Sequence, residues 1–96
     1  MTRQITKNAV NAFLLDDNFN MSNTSVHADT TGTYMYLFGN LIAQKVGKRI
    51  QITLAGWNTP TTRERLNGLP NVSICVKNGV PYLNGEKMDP NEKYIV

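Results

Sequence analysis

The chain has 96 residues, of which 41% are apolar and 18% charged, and its formal net charge is +3. This length allows one domain, residues 1–96, with one modest core, and the composition is that of a folded protein. No apolar run approaches the roughly 20 residues of a membrane helix, and no secretory signal is visible. Cys75 is the single cysteine, so no internal disulfide can form. We therefore expect a soluble protein of a reducing, cytoplasmic compartment.

The N-terminal segment predicts a short helix over residues 6–15 and a loop over residues 18–25. Thr6 has a side chain suited to cap the start of this helix. Apolar side chains then recur at the three- and four-residue spacing of one helix face: Ala9, Val10, Phe13 and Leu14. The loop is polar and rich in asparagine, and Phe19 is expected to attach it to the core.

The next segment predicts strands. Residues 26–29 suit a short edge strand, and residues 33–44 suit a long aromatic strand that is interrupted by a bulge or bend at Gly39-Asn40. Residues 49–54 alternate between apolar and polar side chains and should pair with the long strand across a turn at Val46-Gly47. An antiparallel hairpin is therefore expected in the middle of the chain.

A second helix is predicted over residues 57–68. Pro60 suits its first turn, the run from Thr61 to Glu64 matches a capping box, and Gly68 suits its end. Trp57 precedes the helix, and we expect its large ring to anchor the helix in the core.

Two further strands are predicted over residues 72–76 and 80–83, joined by a turn at Asn78-Gly79, with a short strand at residues 94–96. The two helices and the hairpins indicate an α+β fold. We expect a single antiparallel sheet with two helices packed on one face, in the order α-β-β-β-α-β-β.

No arrangement of residues predicts an enzyme. His27 is the only histidine, and no ligand spacing for a metal accompanies it. Asp16 and Asp17 are adjacent, so their side chains point in different directions and cannot form a catalytic pair. Cys75 lies in an alternating strand, which is typical of a structural cysteine. We therefore predict a non-enzymatic protein without a metal site or cofactor.

Nearly all the positive charge lies between residues 45 and 77, where six cations face one carboxylate and the segment carries +5. The cations are Lys45, Lys48, Arg49, Arg63, Arg65 and Lys77. This segregation predicts contact with a nucleic acid or a nucleoprotein complex through phosphate groups. An ordinary solvated rim is the alternative. The prediction requires that Lys45, Lys48, Arg49 and one of the two helix arginines share a face.

Aromatic side chains also alternate in the predicted long strand. Tyr34, Tyr36 and Phe38 should share one sheet face, whereas Met35 and Leu37 should share the other. Either both faces are covered, which is the simpler expectation for a small domain, or one face is left for a partner. Exposed tyrosines beside cations would be able to stack on bases. Tyr34 and Tyr36 therefore join the cations as candidate partner-binding residues.

Three stretches resemble small uncharacterised proteins of bacteriophages and prophages: YLFGNLIA at residues 36–43, AGWNTPTTRERLNGLP at 55–70 and YLNG at 82–85. The resemblance covers roughly residues 5–88 and implies a phage protein that acts in the host bacterial cytoplasm. It implies no catalytic residue. Because phages encode anti-CRISPR and other anti-defence factors, it leaves an alternative function. That alternative is a protein–protein inhibitor of a host factor that uses the aromatic sheet face or a sheet edge, and a homodimer is compatible with either function.

Overall fold

The computed structural model describes residues 3–96 and contains two helices and nine strands in that range. Helix α1 spans Gln4–Leu14, and helix α2 spans Pro60–Asn67. Five strands lie between them: β1 (Phe19–Met21), β2 (Thr24–Ala28), β3 (Thr33–Leu37), β4 (Asn40–Val46) and β5 (Arg49–Ile52). Four follow α2: β6 (Ile74–Lys77), β7 (Val80–Leu83), β8 (Glu86–Lys87) and β9 (Tyr94–Ile95). The predicted α+β class is confirmed, and the predicted order of elements is wrong.

The strands form two antiparallel sheets, so the prediction of a single sheet is wrong as well. The large sheet has the order β1-β2-β3-β4-β5-β9, and the small sheet has the order β6-β7-β8. Two-residue turns at Asn78-Gly79 and Asn84-Gly85 pair each strand of the small sheet with its immediate neighbour. The predicted turn at Asn78-Gly79 and the predicted final strand are therefore confirmed, and that strand occupies the β5 edge of the large sheet.

The long strand predicted over residues 33–44 is in fact a hairpin. Leu37 pairs with Asn40, so Phe38 and Gly39 form a two-residue turn in which both residues have positive φ, 52° and 80°. Asparagine usually occupies the first position of such a turn. Because phenylalanine stands there instead, the sequence indicated a continuous strand with a bulge.

The region predicted as a loop contains β1 and the start of β2. β2 lies between β1 and β3 and is therefore not the predicted edge strand. Phe19 is partly buried against the core, as expected. Polar residues can form β2 because its side chains alternate between the solvent and the inner face of the sheet.

Helix α1 begins two residues earlier than predicted, whereas α2 begins at Pro60, three residues later than predicted. Arg3 precedes α1 as its N-cap, and Thr6 is fully buried inside the helix and does not cap it. In α2, the side chain of Thr59 caps the helix by accepting a hydrogen bond from the backbone N–H of Thr62, so the capping box predicted at Thr61 is wrong. Gly68 ends α2 as predicted.

The core lies between the two helices and the inner face of the large sheet. Its largest fully buried apolar side chains are Phe13, Met35, Ile42, Ile52, Leu54 and Leu66. In the described part of the chain, both helices pack on this face, and no helix covers the opposite face of the large sheet. Within residues 3–96, neither helix is long and apolar enough to cross a membrane.

Candidate nucleic-acid interface

The outward face of the large sheet, which we call the open face, is defined by the strand register. Tyr34 pairs with His27 and Gln44, and Tyr36 pairs with Ser25 and Leu41. Extending these rows to the neighbouring strands gives the full set: Asn20, Ser25, His27, Tyr34, Tyr36, Leu41, Gln44, Val46, Arg49, Gln51 and Ile95. All of these are exposed or half-buried, and none is acidic. The strand positions of the open face therefore carry no carboxylate, and Asp29 lies at its border, with Oδ2 3.6 Å from Nε2 of His27.

Tyr34 and Tyr36 lie near the centre of the open face. Both are half-buried, whereas Met35 between them is fully buried on the inner face. The hydroxyl groups of Tyr34 and Thr31 are 2.9 Å apart and share a hydrogen bond, which restrains the Tyr34 ring. The two tyrosines consequently lie outside the core, and the simpler expectation of a doubly covered strand is wrong.

Two shallow grooves flank the tyrosines. The groove on the β4–β5 side has a volume of about 750 Å³ and is lined by Gln44, Val46, Lys48, Arg49, Gln51, Ile95 and Val96. The groove on the β1–β2 side has a volume of about 470 Å³, and Ser25, His27 and Tyr36 are among its lining residues. In the part of the chain that the structure describes, neither Lys48 nor Arg49 forms an ion pair. These two cations are therefore available at one margin of the open face.

Lys45 does not join this surface. Its Nζ atom donates a hydrogen bond to the carbonyl oxygen of Leu14 at 2.8 Å and lies 2.9 Å from Oδ1 of Asp16. A cation at this position satisfies the C-terminal end of α1. Hydrogen bonds from the Thr33 hydroxyl and from Lys45 lower the pKa of Asp16 below its ordinary value. Lys45 is thus neutralised within the fold.

Arg65 is the most deeply buried of the predicted site residues, with a relative exposure of 1%. Its Nε atom donates to Oγ1 of Thr24, and its Nη1 atom donates to Oγ1 of Thr6 and to Oε1 of Glu64. Partial burial raises the pKa of Glu64, but hydrogen bonds from Thr6 and Arg3 and the charges of both arginines outweigh this effect and lower it. The prediction that Arg65 contacts a partner is wrong for the folded protein.

Arg63 and Lys77 lie on other elements. Arg63 projects from α2 and donates a hydrogen bond to the side-chain oxygen of Asn58. Lys77 belongs to the small sheet and lies over the ring of Tyr82, 5.7 Å from its centroid. The fold therefore divides the six cations, and the predicted shared face is not formed. Of the predicted residues, the open face and the groove at its β4–β5 margin combine only Tyr34, Tyr36, Lys48 and Arg49.

A second surface was missed by sequence reasoning. Phe38 and Trp57 are 70% and 57% exposed, and both line a pocket of about 460 Å³. Its apolar lining comes from Leu37, Ile42 and Leu54, and we call it the Phe38–Trp57 pocket. Trp57 is thus not the predicted core anchor, and Phe38 does not lie with the tyrosines. The available signal was the phenylalanine directly before Gly39, at a position that favours asparagine.

The side chains considered for catalysis or metal binding do not come together in one site. Nε2 of His27 is 3.6 Å from Oδ2 of Asp29, and both side chains are substantially exposed. Cys75 is exposed on the edge strand β6. Within residues 3–96, no group of three or more histidine, cysteine, aspartate or glutamate side chains could hold a metal ion.

These features define a small α+β domain with one helix-covered and one open sheet face. The chain matches the family model described as Kyanoviridae Gp96 protein over residues 2–95 and belongs to that bacteriophage family. The predicted phage origin is thereby confirmed. Comparisons with curated proteins and with solved structures each found no match.

Proposed function

We propose that this phage protein is a non-enzymatic accessory protein that binds single-stranded nucleic acid, free or within a host nucleoprotein complex, across its open face in the bacterial cytoplasm. The observation that carries the proposal is the combination of two half-exposed tyrosines with Lys48 and Arg49, which form no ion pair within residues 3–96, on a sheet face whose strand positions carry no acidic residue. The mechanism needs neither a metal nor a cofactor. The proposed interface consists of Tyr34, Tyr36, Lys48 and Arg49, instead of the six cations predicted from the sequence.

The tyrosines supply the platform for bases. Tyr34 and Tyr36 are separated by two positions of β3, so their Cα atoms are about 6.6 Å apart and their rings point to the same side. Unpaired bases stack on such rings without regard to sequence, and each stacked base contributes about 1–3 kcal/mol. The bases of a duplex are already stacked on one another, so this face favours a single strand.

The margin of the open face supplies contacts to the backbone of the ligand. Lys48 and Arg49 line the same groove as the side-chain amides of Gln44 and Gln51. The two amides are joined by a 3.1 Å hydrogen bond from Gln44 to Gln51. The cations can bind phosphates, and the amide groups left free can bind base edges or sugar hydroxyls. A strand that crosses from this groove towards β2 would pass over both tyrosines.

The proposal is tested by fluorescence anisotropy with a labelled single-stranded oligonucleotide and with a duplex of the same sequence at low salt. We expect the wild type to prefer the single strand and the Lys48→Glu/Arg49→Glu variant to lose binding. The Lys7→Glu/Lys87→Glu variant is the matched control, because it changes the net charge equally at exposed positions of α1 and β8. Equal loss in both variants would show that only net charge matters.

The tyrosines are tested separately from the charges. Tyr36→Ala should weaken binding by about tenfold or more, whereas Tyr36→Phe keeps the ring and should bind almost as the wild type does. The alternative, an inhibitor that binds a host protein through the same face, predicts salt-tolerant protein binding and no change of anisotropy with any oligonucleotide. That result would refute the proposed function.

A further inference from the structure

We propose that the Phe38–Trp57 pocket is a protein-docking site that receives an uncharged aliphatic or aromatic side chain of a partner protein. This site is distinct from the open face and does not depend on nucleic-acid binding. The argument rests on the turn that carries Phe38, on the exposure of both rings and on the uncharged lining of the pocket.

The turn at Phe38 has two counterparts among the hairpin turns of residues 3–96. The φ angles are 52° and 80° at Phe38-Gly39, 53° and 79° at Asn78-Gly79, and 52° and 87° at Asn84-Gly85. All three turns connect paired strands through two residues. Asparagine tolerates this left-handed conformation, whereas a bulky side chain is disfavoured there. Phenylalanine is therefore the unfavourable choice for the turn itself.

Burial does not compensate for this local cost, because Phe38 is 70% exposed. Phe38 therefore favours neither the backbone conformation of its turn nor the packing of the core, which points to a role in binding another molecule. Trp57 lines the same pocket and is also mostly exposed. Tryptophan is enriched among the residues that dominate protein–protein binding energies. Two such side chains at one pocket mark a docking surface.

The backbone holds both aromatic residues in place. The N–H of Phe38 donates to the carbonyl oxygen of Asn23 at 2.8 Å, and the N–H of Trp57 donates to that of Leu54 at 2.8 Å. A partner therefore meets a surface whose backbone is already ordered, which lowers the entropic cost of binding.

The chemistry of the lining selects the occupant. Apolar side chains are joined by the neutral polar residues Asn40, Thr59, Thr61 and Thr62, and no charged residue lines the pocket. A phosphate or carboxylate would lose water there without gaining a counter-charge. An uncharged side chain fills the apolar part, and the amide and hydroxyl groups suit the peptide groups beside it. A small molecule would leave the outer surfaces of two largely exposed rings in water, so a protein partner fits better.

The pocket and the cationic groove lie at opposite ends of β4. The Phe38-Gly39 turn precedes this seven-residue strand and the Gly47-Lys48 turn follows it, so the two turns are about 23 Å apart. One partner can therefore occupy the pocket while a nucleic acid lies on the open face. The two sites can also be tested with separate variants.

The test uses a displayed library of random linear peptides, selected on the wild-type protein without prior depletion on a pocket variant. Selected peptides are synthesised and titrated against the protein, and the emission of Trp57, the single tryptophan, reports occupancy. We expect the peptides to share an uncharged aliphatic or aromatic residue and to shift the emission to shorter wavelength. Phe38→Asn should raise Kd at least about tenfold. Leu15→Asn, at an exposed site outside the pocket, should leave Kd unchanged.

Circular dichroism establishes that each variant is folded, and Trp57→Ala, followed by peptide anisotropy, gives a second disruption of the pocket. The proposal is overturned if no peptide is enriched or if the enriched peptides depend on a charged anchor. Equal binding to Phe38→Asn overturns it too. A shift of Trp57 emission by an oligonucleotide would identify a base as the occupant instead. Self-association that Phe38→Asn abolishes, measured by sedimentation velocity, would identify a second copy of this chain.

Discussion

The Nη1 atom of Arg65 in α2 donates a hydrogen bond of 2.6 Å to Oγ1 of Thr6 in α1. The same Thr6 hydroxyl donates to Oε1 of Glu64 at 3.0 Å. Nε of Arg65 donates to Thr24 in β2 at 3.0 Å, so one buried cation joins both helices to the large sheet. Within residues 3–96, every buried side-chain nitrogen and oxygen has a hydrogen-bond partner. The network is therefore fully satisfied.

Replacing Arg65 should be strongly destabilising. Arg65→Ala leaves Thr6 and Thr24 without their donor and removes the closer of the two arginines that pair with Glu64, so we expect a loss of about 3–5 kcal/mol in the free energy of unfolding. Urea unfolding followed by circular dichroism measures this loss. Arg49→Ala, at an exposed position, is the control and should change stability by less than about 0.5 kcal/mol. Similar stability of the two variants would show that the buried network contributes little.

The lowered pKa of Glu64 predicts a stability that depends on pH. A carboxyl whose pKa is lower in the folded state than its ordinary value of 4.5 stabilises the fold above that value. This contribution is lost as the pH falls from 4.5 through the lower pKa of the folded state. Glu64→Gln should therefore show a smaller drop in the free energy of unfolding between about pH 7 and about pH 3 than the wild type. Parallel pH profiles of the two proteins would contradict the assignment.

Binding to the open face should have a shallow salt dependence. If Lys48 and Arg49 each neutralise one phosphate of a single strand, the logarithm of the binding constant falls with a slope of about −1.4 against the logarithm of salt concentration. Affinity should then fall about sevenfold between about 50 mM and about 200 mM salt. Arg49→Gln should reduce the slope by about 0.7, and Lys7→Gln should leave it unchanged. A much steeper slope would indicate that other cations contribute.

The turn at Phe38 should become more stable with asparagine. Because asparagine tolerates positive φ better than phenylalanine does, Phe38→Asn should raise the free energy of unfolding by up to about 1 kcal/mol. The reciprocal change, Asn78→Phe, places phenylalanine in a turn with nearly the same φ angles and should cost a similar amount. Urea unfolding of both variants measures the pair. Destabilisation by Phe38→Asn would mean that the phenylalanine ring contributes to folding despite its exposure.

Local signals explain the parts of the fold that were predicted correctly. Pro60 and Gly68 mark the first turn and the end of α2, and Asn78-Gly79 marks a hairpin, because each depends on the backbone preferences of one or two residues. The alternation of residues 33–37 likewise placed Tyr34 and Tyr36 on one face. The same local rules failed at Phe38, where phenylalanine occupies a turn that asparagine would suit better.

The sequence by itself determined the α+β class, the turns at Asn-Gly pairs and the separation of the tyrosines from Met35, since these depend on periodicity and on local backbone preference. Only the tertiary structure decided which face of the sheet the helices cover and which cations remain free. Arg65 is buried and Lys45 is ion-paired because residues distant in the chain, such as Thr6 and Leu14, supply their partners. The sequence gives the number of cations, but only the packing of the fold determines which of them are paired with a carboxylate or a carbonyl group.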